Sequence, residues 1–236
     1  MTTRNPSLLS HVRGWHEAAP VLSALAGYGV LAAVRLAGAF TVPCTVLSIL
    51  LTPSVLVAVP RDSWTGVGLR PARKLPAAVG IGVVLVTYVD VVSCNWAAFG
   101  TTTGNWTMGI PALFRTMVPG NEVLLWVFMV LAMGLFVPLL EEICYRGVLF
   151  TAVARQAGTA VAVVVTSLGW AFVHLGNYGL SPFAPAVIAG VLPSVFCMGL
   201  ALGYCRVVTG SVFASAAAQG IANLALVSWV TMAAPP

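Results

Sequence analysis

Apolar runs long enough to cross a bilayer follow one another along this chain, near residues 20–37, 40–60, 76–97, 121–148, 158–175, 183–206 and 211–232. An α-helix needs about 20 apolar residues to span the hydrocarbon. Within that layer every backbone N–H and C=O must be paired inside the protein, which leaves helices and closed barrels. The runs lack the two-residue alternation of a barrel wall. With 59% hydrophobic and 7% charged residues and a mean hydropathy of +0.98, one water-soluble core cannot hold the apolar side chains. The chain therefore reads as all-α, a polytopic transmembrane bundle of about seven spans, in the range of six to eight. The first two runs are interrupted by Arg35, Pro43 and Pro53 and read equally as one span plus a re-entrant piece.

The net charge of +5 would suggest a nucleic-acid partner in a soluble protein. Here most of the basic residues sit between apolar runs, where they set topology, and the lipid bilayer is the partner expected. Arg4 and Arg13, then Arg61, Arg70, Arg73 and Lys74, then Arg146 and Arg155, then Arg206 all fall on one side. A multi-pass protein of the cell membrane with a cytoplasmic amino terminus is the expectation. Met1 to Pro20 is polar and lacks the compact apolar stretch of a cleavable leader. Cys44, Cys94, Cys144, Cys197 and Cys205 lie in or at the ends of apolar runs without C-x-x-C spacing, which reads as buried small hydrophobes rather than a metal or disulfide framework. Residues 1–118 are taken as amino-terminal transmembrane helices and 119–236 as the site-bearing core of one integrated bundle.

Ionisable groups inside apolar runs cost free energy unless paired or hydrated, so each is a functional suspect. These are Arg35, Asp90, Glu141, Glu142, Arg146 and His174. Glu141 and Glu142 are neighbours on a helix, about 100° apart, so they point in different directions. Glu142 and Arg146 stand at i and i+4, the favourable order for an ion pair. That leaves Glu141 as the candidate general base, with the reverse assignment open. A solvated, charged helix end is the alternative. The segment from Asn121 to Arg155 is too long for one simple span and holds Pro138 just before the pair, which predicts a kink or a cytoplasmic extension. His174 follows Trp170 by one turn, placing an imidazole beside an aromatic wall; Trp170 and Tyr145 are the candidate pocket residues. Gln219 and Asn223 put two carboxamides on one face of the last helix, as interhelical bonds or as N–H donors to an oxyanion. Asp90 pairs with Arg35, faces a hydrated cavity or stays protonated, and it lies outside the candidate catalytic set.

In order and spacing these residues resemble the CPBP family of intramembrane proteases, which includes CAAX endopeptidases and bacteriocin-processing proteins. Glu141-Glu142-Ile-Cys-Tyr-Arg146 reads as E-E-x-x-x-R, Trp170-Ala-Phe-Val-His174 stands for F-x-x-x-H, and Gln219-Gly-Ile-Ala-Asn223 stands for H-x-x-x-N. The likeness spans roughly residues 120 to 225. It implies a helical catalytic core in which Glu141 and His174 activate water on a hydrophobic or lipidated peptide while Asn223 and residue 219 stabilise an oxyanion. Gln219 replaces a histidine. Glutamine is a poor zinc ligand, and His11 and His16 precede the first span, so no metal and no cofactor is expected. Two further readings remain: isoprenoid chemistry begun by a protonated carboxylate, and peptide binding without cleavage as an immunity or escort protein.

Overall fold

The computed structural model describes residues 25–233. Arg4, His11, Arg13 and His16, the start of the first expected span and the question of a leader lie outside the described residues. Among the described residues five helices are long and apolar enough to cross a membrane: α3 (Lys74–Phe99), α5 (Glu122–Ala157), α6 (Thr159–Gly176), α7 (Pro185–Thr209) and α8 (Val212–Met232). Before and between them stand shorter pieces: α1 (Leu25–Ala37), α2 (Val42–Leu51) and α4 (Gly109–Met117). The protein is an all-α multi-pass membrane bundle. Where the first two of about seven spans were expected, the described residues form two shorter apolar helices. Pro43 occupies the first turn of α2, where its missing N–H is harmless, and beyond Leu51 the backbone tightens to a 3₁₀ turn over Thr52–Ala58 that contains Pro53.

Helix boundaries follow local chemistry. Asn121 caps α5, its side-chain oxygen accepting from Leu124 N–H at 2.9 Å, and Glu122 adds negative charge to that first turn. Gly158, at φ +86°, ends α5 and begins α6 in one residue, a backbone conformation that a side chain would strain. In the centre, α7 packs along both α3 and α6, and α8 lies against α3 and α5. The bilayer-facing surface is as apolar as the core, so sequence does not separate the two. Cys94 and Cys197 correct the expectation of buried cysteines, for both are exposed while Cys144 and Cys205 are buried.

Around Pro138 the helical hydrogen-bond register changes. α5 widens into π-helix over Ala132–Phe136, passes Pro138, and widens again over Ile143–Leu149. In π register the partner of the Met133 carbonyl would be the N–H of residue 138, which proline lacks. Asn223 on α8 supplies the donor instead, Nδ2 to Met133 O at 3.1 Å. The two helices meet closely enough for this because Gly220 faces Gly134, leaving no room for a Cβ between Gly220 and the Gly134 carbonyl. Gly220→Val should therefore lower the thermal midpoint in detergent by about 3–10 °C, as overpacking does. Gly82→Ala, on an open face of α3, should leave it unchanged or slightly raised.

Candidate active site

The second π segment sets the stereochemistry of the acidic pair. Glu142 and Arg146 are both fully buried, with Arg146 Nη1 donating to Glu142 Oε1 at 2.5 Å. Arg146 Nη2 donates to the Gly199 carbonyl of α7 at 3.0 Å, and its guanidinium lies 4.9 Å from the Trp170 ring centroid. Arg206 of α7 returns a bond from Nε to the Arg146 carbonyl at 2.9 Å. The pair thus ties α5 to α6 and α7 and faces away from the open space in the bundle.

Glu141 turns to the other side. Its Oε2 accepts from Trp170 Nε1 at 2.9 Å and from Gln219 Nε2 at 2.9 Å, while Oε1 stands 3.7 Å from Arg35 Nη2 of α1. A carboxylate can only accept, which orients the Gln219 amide with its nitrogen toward Glu141 and its Oε1 buried and unpartnered. Arg35 is held there because Gly176, two residues after His174, lies against the Arg35 backbone with no space for a side chain. His174 Nδ1 is 2.8 Å from the Trp170 carbonyl. That oxygen carries no hydrogen, so Nδ1 is the donor, and in the neutral ring Nε2 keeps an open lone pair.

A cavity of about 320 Å³ opens beside these groups and is bordered by Glu141, His174, Gln219, Asn223, Trp170 and Arg35. Its remaining wall is largely apolar, from Ile110, Leu113 and Phe114 on α4 and Phe128, Leu131 and Phe136 on α5. Tyr178, in the loop after α6, also borders it, with its ring edge-on to Trp106 at 5.4 Å. Burial pushes the Tyr178 phenol up to about 12, so the hydroxyl stays protonated near neutral pH.

The residues singled out from sequence fall into different places. Glu141, Trp170, His174, Gln219 and Asn223 share the cavity, whereas Glu142 and Arg146 sit behind it. Tyr145 borders a separate, smaller hollow with Cys144 and Tyr28, its ring edge-on to Tyr28 at 5.7 Å. The N–H groups of Gln219 and Asn223, read as oxyanion donors, point to Glu141 and Met133. Arg35 pairs with Glu141 rather than Asp90, and Asp90 lies exposed on α3. Arg35 was conspicuous as a charge in an apolar run; its choice of partner is a tertiary property that no spacing encodes.

Among the described residues no group of three or more His, Cys, Asp or Glu is placed to hold a metal ion. No curated protein and no solved structure matches the chain. Residues 123–225, however, match the family described as type II CAAX prenyl endopeptidase, Rce1-like. In this segment the chain is similar to the CPBP family of intramembrane proteases. The matched segment contains Glu141, Glu142, Arg146, Trp170, His174, Gln219 and Asn223, whereas Arg35 and all of α1 to α4 precede it.

The buried pair behind the cavity gives a test of its structural part. Glu142→Ala and Arg146→Ala should each destabilise the bundle by about 3–5 kcal/mol, because each strands a charge. The double variant Glu142→Leu with Arg146→Met should recover most of that loss in thermal unfolding. A double variant no more stable than the singles would mean that the two charges do not depend on each other.

Proposed function

We propose that this protein is a glutamate-dependent intramembrane endopeptidase that activates water with Glu141 and His174 on a hydrophobic or lipidated peptide. One observation carries the reading: Glu141 and His174 border the same buried cavity within the segment that matches a prenyl endopeptidase family. Oε2 of Glu141 is already filled by two donors, so Oε1 is the oxygen left for water. A water donating one hydrogen to Oε1 and the other to His174 Nε2 presents its lone pair to a substrate carbonyl. Glu141 takes the proton as the C–O bond forms and returns it to the leaving nitrogen as the C–N bond breaks.

The cavity mouth supports a substrate that arrives through lipid. Its rim includes Val46 and Leu50 of α2 and Leu131 and Phe136 of α5, apolar side chains that are exposed on the bundle surface. Such a rim suits an acyl or prenyl chain sliding in from the membrane better than a water-soluble loop. The basic residues between spans favour the cell membrane with a cytoplasmic amino terminus.

With a quenched fluorescent peptide ending in a prenylated cysteine motif, the purified protein in detergent should show cleavage. Glu141→Gln and His174→Ala should each lose about 10³-fold or more in kcat/KM while the purified protein remains folded by circular dichroism. Wild-type rates in both variants would end the proposal. A second reading, peptide binding without cleavage, is favoured by Gln219, which stands where the family has a histidine and gives one N–H to Glu141. Under that reading Gln219→His creates a peptidase from an inactive parent.

A further inference from the structure

Five side chains that line the cavity each carry a buried polar atom with no hydrogen-bond partner among the described residues: Arg35 Nε, Tyr88 Oη, Trp106 Nε1, Asn177 Oδ1 and Gln219 Oε1. Burying such a group without a partner costs roughly 1–3 kcal/mol, so five around one cavity demand an occupant. Arg35, Tyr88 and Trp106 are 9%, 4% and 5% exposed, so bulk solvent does not serve them. An all-hydrocarbon ligand offers these atoms nothing. A peptide offers both carbonyl oxygens for the three donors and N–H groups for the two acceptors.

The donors are also held in place. Asn105 caps the 3₁₀ turn that begins with Trp106: its Oδ1 accepts from Thr107 N–H at 3.1 Å and from the Thr107 hydroxyl at 2.7 Å, and its amide donates to the Gly100 carbonyl at 2.6 Å. Asn95 of α3 donates to the same Asn105 oxygen. On the far side Gly190 of α7 allows close approach, since a Cβ there would sit 3.1 Å from Asn95 Oδ1 and 3.5 Å from Trp106 Cδ1. A fully buried network thus fixes an indole whose own N–H is left free. Tyr88 is fixed by α3, and Arg35 by the Gly176 contact.

We infer that Arg35, Tyr88 and Trp106, all outside the matched segment, form the peptide-recognition arm of the site, with Arg35 facing the oxyanion. The inference rests on the peptidase reading and deepens it. Arg35 is the cation beside Glu141, and its Nε is unspent. When hydroxide oxygen, freed of its proton by Glu141, bonds to the carbonyl carbon, the C=O π pair moves onto the carbonyl oxygen. The guanidinium faces that charge, while one N–H of Gln219 and one of Asn223 already bond Glu141 and Met133. Collapse restores the C=O, breaks the C–N bond and sends the proton on Glu141 to the departing nitrogen. Trp106 and Tyr88 hold flanking carbonyls, so the amino-terminal helices set which peptide is accepted.

The test separates binding from turnover. In a Glu141→Gln background, the prenylated peptide should bind more tightly than a prenyl alcohol of equal chain length. Tyr88→Phe and Trp106→Phe, which remove one O–H or N–H and keep the ring, should each weaken peptide binding about fivefold without changing that of the alcohol. In the otherwise wild-type chain, Arg35→Lys should lower kcat about 10²-fold with KM changed less than threefold. Equal binding of peptide and alcohol, or unchanged peptide affinity in both phenylalanine variants, overturns the inference. A wild type that binds the peptide through these donors without cutting it supports the recognition arm and counts against the peptidase reading.

Discussion

Two adjacent carboxylates deep in an apolar bundle impose the constraint on which the rest of this structure depends. Each must meet a cation or a set of donors, and the helix points them about 100° apart. Glu142 finds Arg146 on its own helix, while Glu141 finds Arg35 on α1 together with the N–H groups of Trp170 and Gln219. Satisfying the first carboxylate fastens α5 to α6 and α7. Satisfying the second brings α1, α6 and α8 to one point, and that point borders the cavity. Charge matching in a medium without water thus does the work that an apolar core does in a soluble domain.

How much of this was legible beforehand depends on the range of the interaction. Glu142 with Arg146, Trp170 with His174, and Gln219 with Asn223 are each one helical turn apart, so their shared faces follow from helix geometry alone. The bundle itself followed from run length and the lack of alternation. Long-range pairings had no such signature. Pro138 announced a disturbance, but that the disturbance is a π segment whose free carbonyl is taken by Asn223, 90 residues away, comes from the approach of Gly220 to Gly134. Trp106 lay in a loop that carried no motif, and its importance depends on the buried Asn95–Asn105 network. The second expected span became a short helix because Pro43 opens it and Pro53 lies in the tightened turn beyond Leu51, neither of which changes mean hydropathy much.

Gln219 is the residue whose meaning changed most. As a departure from the family pattern it first bears on the oxyanion; in place, it is a second donor to the carboxylate that Trp170 also holds. Anchoring one oxygen of Glu141 from two sides leaves the other, 3.7 Å from Arg35 Nη2, free of hydrogen bonds, as the proposed base requires. On the same proposal the electrophilic duty falls to Arg35, outside the matched segment. The division near residue 118 is therefore a boundary of likeness, and the site is built across it.

Water attack assisted by Glu141 is the central claim, and the fate of the oxygen reports on it most directly. Cleavage of the prenylated peptide in H₂¹⁸O, followed by mass spectrometry of the released fragments, should show one ¹⁸O in the new carboxyl terminus from the first turnover. Added hydroxylamine should leave that product unchanged. A hydroxamate at the cleavage site would reveal an acyl-enzyme on a side-chain nucleophile, and it would contradict the account.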